Sequence, residues 1–312
     1  EMSVSGSINT TLKMGKGGGN TSRSLGTDKD VAFSGGGELD NGTTFSMSTT
    51  LLDNYELSGS TTTITTPSLG TFSMGTSTGS VSYMYDEEVP QAYEQISDGK
   101  QTMANLVGNF MDNNYIMYSA PALELMGASI QAHVAYSPQA SDGSVTDGGQ
   151  VAYSATYGSG QEAGVTITYE GLKVGVYGGE RSNETPVAAG SDAVRDEFNG
   201  AWYATYSMGP VSIGYSETYM DAGLTGSAEA TTTSKGERTA AGLFEGEQMS
   251  IAFNVNDNMS ISYTTSDETY DTQDDAASAV TTDDDVTETV DAIQVAYSMG
   301  GMSIKAYNME VT

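Results

Sequence analysis

Carboxylates crowd one stretch of this 312-residue chain, residues 76–112. A single base, Lys100, accompanies six of them, namely Asp86, Glu87, Glu88, Glu94, Asp98 and Asp112. A cluster of this kind can set a strong local electric field. The stretch is also the longest interval without the two-residue period of a β-strand. An irregular insertion of this length in a regular β chain is usually either functional or disordered.

A second acidic run, residues 271–291, has eight carboxylates and no base. Such a run is usually a solvated face of the protein. Ca²⁺ binds clustered oxygen ligands, so a weak calcium site is the alternative, although the spacing of a calcium-loop motif is absent. The candidate ligands are Asp271, Asp274, Asp275, Asp283, Asp284 and Asp285. Apart from this possible structural Ca²⁺, no cofactor is expected.

The residues that usually perform catalysis are scarce. His133 is the only histidine and there is no cysteine, so neither a catalytic triad nor a zinc site can be assembled from these side chains. The alternation places His133 on a polar face, where a solvated side chain is expected. The glycines at 15 and 17–19 surround Lys16, but no Ser or Thr follows that lysine as a phosphate-binding loop requires. The sequence therefore predicts a protein that is not an enzyme.

Most of the chain alternates apolar and polar residues, which predicts β-strands with two different faces. In the first strand Met2, Val4, Ile8 and Leu12 share one face, and serine, asparagine and threonine share the other. Very short turns such as Asn41-Gly42 and Gly300-Gly301 join neighbouring strands as hairpins. Long polar connections alternate with these turns, at about 15–28, 53–60, 76–112, 138–161, 182–196, 222–245 and 271–287.

Short turns at one end and long loops at the other are typical of an outer-membrane β-barrel. A soluble β-sandwich shows the same alternation with its apolar face inward. Three features favour the barrel. A soluble barrel of this many strands would be too wide for its side chains to fill, the second face is almost wholly polar, and many of the 19 tyrosines lie near strand ends. The predicted fold is therefore all-β, a 16-stranded antiparallel transmembrane barrel forming one domain over residues 1–312.

The alternation identifies fifteen strands, near residues 2–14, 30–40, 43–53, 60–68, 70–76, 113–121, 128–137, 162–170, 173–181, 197–208, 211–221, 246–256, 259–270, 288–299 and 302–312. Bacterial single-chain barrels have an even number of strands, so a last strand is expected to be missing. The chain begins at Glu1 and is interpreted as a mature form whose secretory signal peptide has been cleaved. With 11 basic residues against 41 acidic ones, nucleic acid is excluded as a partner.

The chain resembles the trimeric general porins of Gram-negative outer membranes, most closely the alphaproteobacterial, Rhodobacter-like branch. The resemblance covers nearly the whole chain and is most specific in MSVSGSI, LDNGTTFSMS, LGTFSMG, SMGPVSIGYS and SMGGMSIKAY. It implies a sixteen-stranded barrel, a homotrimer, and a third external loop, residues 76–112, folded into the lumen as a constriction. Such porins end in a strand closing on an aromatic residue, whereas this chain ends at Thr312.

In such a constriction, loop carboxylates face bases on the barrel wall. The expected acidic half comprises Asp86, Glu87, Glu88, Glu94 and Asp98, and the expected basic half comprises Lys13, Lys173, Arg181 and Lys305. The predicted function is passive diffusion of small hydrophilic solutes and ions, with a preference for cations. Outer-membrane lipid and lipopolysaccharide are the expected surroundings, and the subunit interface is expected near residues 115–118. The alternatives are a secreted acidic β-sandwich of a surface layer or adhesin, and a substrate-selective outer-membrane channel lined by Tyr177, Tyr203 and Tyr307.

Overall fold

The computed structural model describes residues 2–17, 20–52, 54, 56–76, 78–96, 111, 114–140, 157–183, 196–221, 243–271 and 286–312. One short 3₁₀ helix, Ser82–Met84, interrupts an otherwise all-β chain within these ranges. None of the helical segments in the described ranges has the length and hydropathy needed to span a lipid bilayer.

Sixteen strands form a single antiparallel sheet. Each strand pairs with its neighbour in the sequence, except that β6 and β7 both pair with β8. The strands are β1 (Met2–Gly17), β2 (Asn20–Glu38), β3 (Thr44–Leu51), β4 (Leu57–Thr66), β5 (Gly70–Thr76), β6 (Tyr115–Ser119), β7 (Leu123–Leu125), β8 (Ala128–Ser137), β9 (Tyr157–Tyr169), β10 (Leu172–Asn183), β11 (Glu197–Met208), β12 (Val211–Asp221), β13 (Leu243–Asn256), β14 (Met259–Asp271), β15 (Val286–Met299) and β16 (Met302–Val311).

The short turns lie where the sequence predicts them. Gly42, Gly209 and Gly300 have φ values of 78°, 59° and 60°, which glycine adopts without the steric cost that a Cβ would impose. The predicted strands are confirmed, with two differences. The β1–β2 hairpin pairs from Met2 to Gly17, so the loop predicted at 15–28 is mostly strand. The strand predicted at 113–121 consists of β6 and the separate three-residue β7.

The two faces of the sheet have the opposite polarity to a soluble protein. Large apolar side chains point outward and stay exposed, for example Val176, Ile251 and Ile293 at 58%, 48% and 57%. Inward positions carry buried polar groups such as Ser262 and Gln294. In water this arrangement would forgo the hydrophobic stabilisation of the whole outer face, whereas hydrocarbon is a suitable solvent for it. The soluble sandwich alternative is therefore wrong.

The segment that follows β5, residues 78–96, is called here the inner segment. It contacts every strand from β9 to β16 except β12 by hydrogen bonds or ring contacts, among them Glu162 of β9 and Tyr307 of β16. In a flat sheet with strands about 4.8 Å apart, β16 would lie about 40 Å from β6, beyond the reach of these contacts. The sheet therefore curls around the inner segment as a barrel, and its polar face lines the lumen.

Candidate functional site

The inner segment enters the barrel beside β6 and β9. The phenol of Tyr115 donates to the carbonyl of Gly79 over 2.9 Å. The Val81 N–H donates to Glu162 Oε2 over 3.0 Å, and Glu162 Oε1 accepts from the Tyr177 hydroxyl at 2.9 Å. Glu162 is 4% exposed, so its carboxylate is buried and serves to anchor the segment to the wall. Glu162 was not among the predicted site residues, although its inward position between two inward glycines is a sequence signal of close backbone approach.

Tyr85 is the apolar anchor of the inner segment. Its ring packs against Tyr177 and Tyr203, with centroid distances of 5.7 and 6.0 Å. Thr166 Oγ1 donates to the Tyr85 hydroxyl over 3.1 Å. Burial raises the pKa of Tyr85 above its usual value of 10.0, so the side chain is a neutral phenol. Tyr177 and Tyr203, which are far apart in the sequence, meet here against one loop residue and are themselves buried.

Glycines on the wall provide the space for these contacts. A Cβ on Gly164 would overlap the Tyr85 ring, and one on Gly214 would overlap the Pro90 ring. The wall thus accommodates the segment because glycines leave space for its rings, while polar side chains bind it. A glycine at an inward strand position is a recognised sign that another backbone approaches closely.

The three consecutive carboxylates in the middle of the segment, Asp86, Glu87 and Glu88, lie in different environments. Glu87 is buried, has a φ of 45°, and accepts a hydrogen bond from the Ile96 N–H at 3.1 Å. Glu88 forms an ion pair with Lys173 of β10, with 2.7 Å between Oε2 and Nζ. Asp86 is half-buried, and its carbonyl accepts from Gln95 Nε2 at 3.4 Å. Glu87 and Glu88, two carboxylates of the predicted acidic half, thus also hold the segment in place.

Lys173, one of the predicted bases, contacts the predicted loop carboxylate Glu88. Its Nζ also lies 5.0 Å from the centroid of the Tyr203 ring, a cation–π distance. Arg181 instead donates from Nε and Nη2 to Glu197 of the neighbouring strand, at 3.1 and 2.8 Å, and from Nη1 to the carbonyl of Ala140. This pair lies where β10 and β11 meet the loops, so Arg181 links two neighbouring strands of the wall.

The second half of the segment runs across β13, β14 and β15. Ser250 of β13 donates to the carbonyl of Pro90, and the Ala92 N–H donates to Ser262 Oγ of β14 at 2.9 Å. On β15, Gln294 accepts from the Tyr93 N–H at 2.9 Å and donates to the Glu94 carbonyl at 2.7 Å. The predicted carboxylate Glu94 is thus held through its backbone.

An aromatic and cationic group lies at the far end of the segment, on β16. The rings of Tyr93 and Tyr307 have centroids 5.7 Å apart, and Lys305 Nζ is 5.0 Å from the centroid of the Tyr93 ring. Lys305 is exposed, as is Lys13 on β1. The strand bounds place Lys305 next to the short turn before β16 and Lys13 next to the far end of β1.

The remaining predicted residues are the other acidic residues of the loops and His133. Asp98 lies outside the described residues, as do Asp274, Asp275, Asp283, Asp284 and Asp285, and Asp271 ends β14. Within the described ranges no group of three metal-ligating side chains could hold an ion, and the calcium site stays a prediction. His133 is not solvated as expected, because it is buried with Nδ1 2.8 Å from Ser119 Oγ.

The open part of the lumen lies on the side away from the inner segment. On β1 the inward residues Ser3, Ser5, Ser7, Asn9 and Thr11 are all exposed. On β13 to β15, by contrast, the inward residues Ser250, Ser262 and Gln294 are buried where they contact the segment. Hydroxyl pairs link the strands of the open side, for example Ser3 with Ser34 at 2.8 Å and Thr65 with Thr71 at 3.0 Å. A hydrated, polar passage bounded by the segment is what this arrangement can provide.

Solved structures share this fold. A porin refined at 1.8 Å superposes with a TM-score of 0.64 and 15% identity, over 100% of this chain and 94% of that chain. An anion-selective porin from Comamonas acidovorans gives 0.62 and 12% identity, over 100% and 90%. A double mutant of the Rh. blastica porin gives 0.57 and 11%, over 99% and 94%. Curated protein sequences gave no match.

The sequence itself fits one family model over nearly its full length. The model describes Gram-negative porins, and it matches residues 1–307. The inverted polarity of the sheet and the segment folded inside it agree with that match. The chain therefore belongs to the Gram-negative porin family, whose members are channels of the outer membrane.

Proposed function

We propose that this porin is a passive diffusion channel for small hydrophilic solutes and ions, with a preference for cations. The main observation that supports the cation preference is the charge of the inward face. Among the described residues that are not buried, the carboxylates on inward strand positions or on the inner segment include Asp28, Asp30, Asp86, Glu88 and Glu94, against the bases Lys13, Lys173 and Lys305, while Arg181 is paired with the buried Glu197. An excess of one sign in a narrow, low-dielectric passage concentrates the opposite ion.

The test of the cation preference is the zero-current potential of the purified protein in a planar bilayer with a KCl gradient. We expect the potential to have the sign of K⁺ permeation, and to fall as salt screens the carboxylates. A potential with the sign of chloride permeation would refute the preference. The Comamonas porin is anion-selective by its description, and at 12% identity its charge pattern does not transfer to this chain.

A substrate-selective channel is the second candidate. The observation that favours it is the pair Tyr93 and Tyr307 with Lys305 against it, at the edge of the open lumen. Tyr177 and Tyr203, which would extend an aromatic path, are buried beneath Tyr85 and give it no support. In liposomes, swelling rates that fall smoothly with the size of neutral sugars support simple diffusion, whereas one sugar permeating far faster than others of its size supports selectivity.

We also propose that the protein is a homotrimer in contact with outer-membrane lipid and lipopolysaccharide. The proposal rests on the resemblance to trimeric porins. On β6, Ile116 and Tyr118 point outward, and Tyr118 packs on Phe72 with ring centroids 4.9 Å apart. Tyr115 points inward and cannot take part in an interface. Light scattering of the detergent-solubilised protein should give three chains per particle, and charged residues at Ile116 and Tyr118 should reduce that number.

A further inference from the structure

The side-chain amide of Gln294 is connected to the inner segment through both its oxygen and its nitrogen. A glutamine amide offers two donors and two acceptor positions. Its Oε1 accepts from the Tyr93 N–H at 2.9 Å and from Ser262 Oγ at 3.4 Å. Its Nε2 donates to the Glu94 carbonyl at 2.7 Å and to Gln91 Oε1 at 3.4 Å. All four positions are used, and three of them by the segment.

Burial makes this connection strong. Gln294 is 1% exposed, so water cannot replace a lost partner without the segment moving away. The amide binds the N–H of Tyr93 and the carbonyl of Glu94, so it fixes both ends of this two-residue stretch of backbone. The Tyr93 ring is held over Tyr307, with Lys305 against it, at the edge of the open lumen.

We propose that Gln294 is the positioning residue that sets the bore of the channel. It does not contact the solute, and acts by holding residues 91–94 against β15 so that Tyr93 and Lys305 bound the passage. Ser262 and Ser250 each add one bond to the same part of the segment, whereas Gln294 binds both a donor and an acceptor of the segment backbone. The inference rests on the proposed diffusion function.

The chain offers a matched control in Gln248 of β13. This residue is also an inward glutamine, 2% exposed, and neither its Nε2 nor its Oε1 has a hydrogen-bond partner among the described atoms. Gln294→Leu and Gln248→Leu therefore make the same chemical change at two buried wall positions. They differ in whether the amide holds the inner segment.

The test compares wild type, Gln294→Leu, Gln294→Glu and Gln248→Leu in planar bilayers and in liposome swelling with neutral sugars. Gln294→Leu should raise the population of a displaced segment on the order of tenfold, seen as current fluctuations and faster swelling by larger sugars. Gln294→Glu keeps the acceptor for Tyr93 and sets a carboxylate against the Glu94 carbonyl, so it should show the same effect with increased cation preference. Gln248→Leu should behave as wild type.

Each outcome separates the inference from the function it rests on. If wild type forms no channels, the proposed function fails. If wild type conducts and Gln294→Leu has the same size cut-off and current noise, only the positioning role fails. Equal changes in Gln248→Leu and Gln294→Leu would also overturn it, because they would indicate a general effect of the wall. If Gln294→Leu does not fold, Gln294→Glu and Gln294→Asn supply the same comparison.

Discussion

At the level of single residues, the inner segment is positioned not only by charged groups of the wall but also by two of its glycines. Gly164 lies beneath the Tyr85 ring and Gly214 beneath Pro90, and the space that a methyl group would take is already filled. Tightly packed sites of this kind respond to a single added carbon, because neighbouring atoms must shift. The consequence is that a substitution remote from any charged group should change conduction.

The first prediction concerns Gly164. We expect Gly164→Ala to displace Tyr85, to destabilise the folded protein by about 1–3 kcal/mol, and to increase the open-channel current noise. Gly178→Ala on β10 is the control, because the nearest atoms to its added Cβ are those of the Phe198 ring at 3.9 Å. Denaturant unfolding and single-channel recording measure the two effects. Equal behaviour of the two variants would contradict the packing role of Gly164.

The second prediction concerns the ion pair of Lys173 and Glu88. The two side chains are 41% and 32% exposed, so the pair should contribute less than about 1 kcal/mol to stability. Its effect on permeation should be larger, since Lys173→Gln leaves the Glu88 charge uncompensated in the lumen. We expect the zero-current potential to shift toward cations in Lys173→Gln and toward anions in Glu88→Gln. Shifts of the same sign would show that the pair does not contribute to the field.

At the level of elements, the inner segment is an insertion in a hairpin that can close without it. Gly75 of β5 and Tyr115 of β6 are register partners, so the residues between them are not needed to pair the two strands. Its hydrogen bonds to β9 and β15 reach residues 81 to 203 positions away in sequence. The segment therefore depends on the folded barrel, and the barrel depends little on the segment.

The third prediction follows from this independence. Replacement of residues 78–112 by a short Gly-Ser linker should leave a folded barrel with a several-fold higher conductance and a larger size cut-off for sugars. Circular dichroism tests the strand content and planar bilayers test the conductance. A folded variant with unchanged conductance would mean that residues 78–112 do not narrow the passage.

The sequence predicts the strands well and the path of the inner segment poorly. Alternation is a local property, so β1, β12 and β16 can be identified from their own residues. The environment of Glu87 is not local. Its carboxylate turns back to the Ile96 N–H, and nothing in the triplet Asp86-Glu87-Glu88 distinguishes this buried residue from Glu88, which pairs with Lys173. The role of Gln294 cannot be predicted from the sequence for the same reason, because its contacts are not local either.

At the level of the whole molecule, the barrel has its polar groups inside and its apolar groups outside. The outward face of β13 carries Met249, Ile251, Phe253 and Val255, all exposed. The inward face buries Gln248 and Ser250 beside the inner segment. Such a surface is stable where hydrocarbon replaces water, so folding and membrane insertion should be coupled.

The fourth prediction tests this inversion. Ile251→Arg places a charge on the outer face, and we expect a loss of about 2–4 kcal/mol if the site lies near the middle of the bilayer. Ser7→Arg is the control, because Ser7 is an inward, exposed position whose register partner is Asp30. It should cost little and should lower the cation preference. The measurement is the free energy of unfolding in lipid vesicles. If Ser7→Arg lost more of this free energy than Ile251→Arg, the assignment of the two faces would have to be reversed.

The central claim is that the barrel encloses a water-filled passage. The most direct measurement is the single-channel conductance of the wild-type protein in planar bilayers over a range of KCl concentrations. The passage described here predicts discrete openings, a linear current–voltage relation, and a conductance that rises nearly in proportion to the conductivity of the salt solution. An absence of openings, or a conductance that saturates at low salt as in a tight binding site, would contradict it.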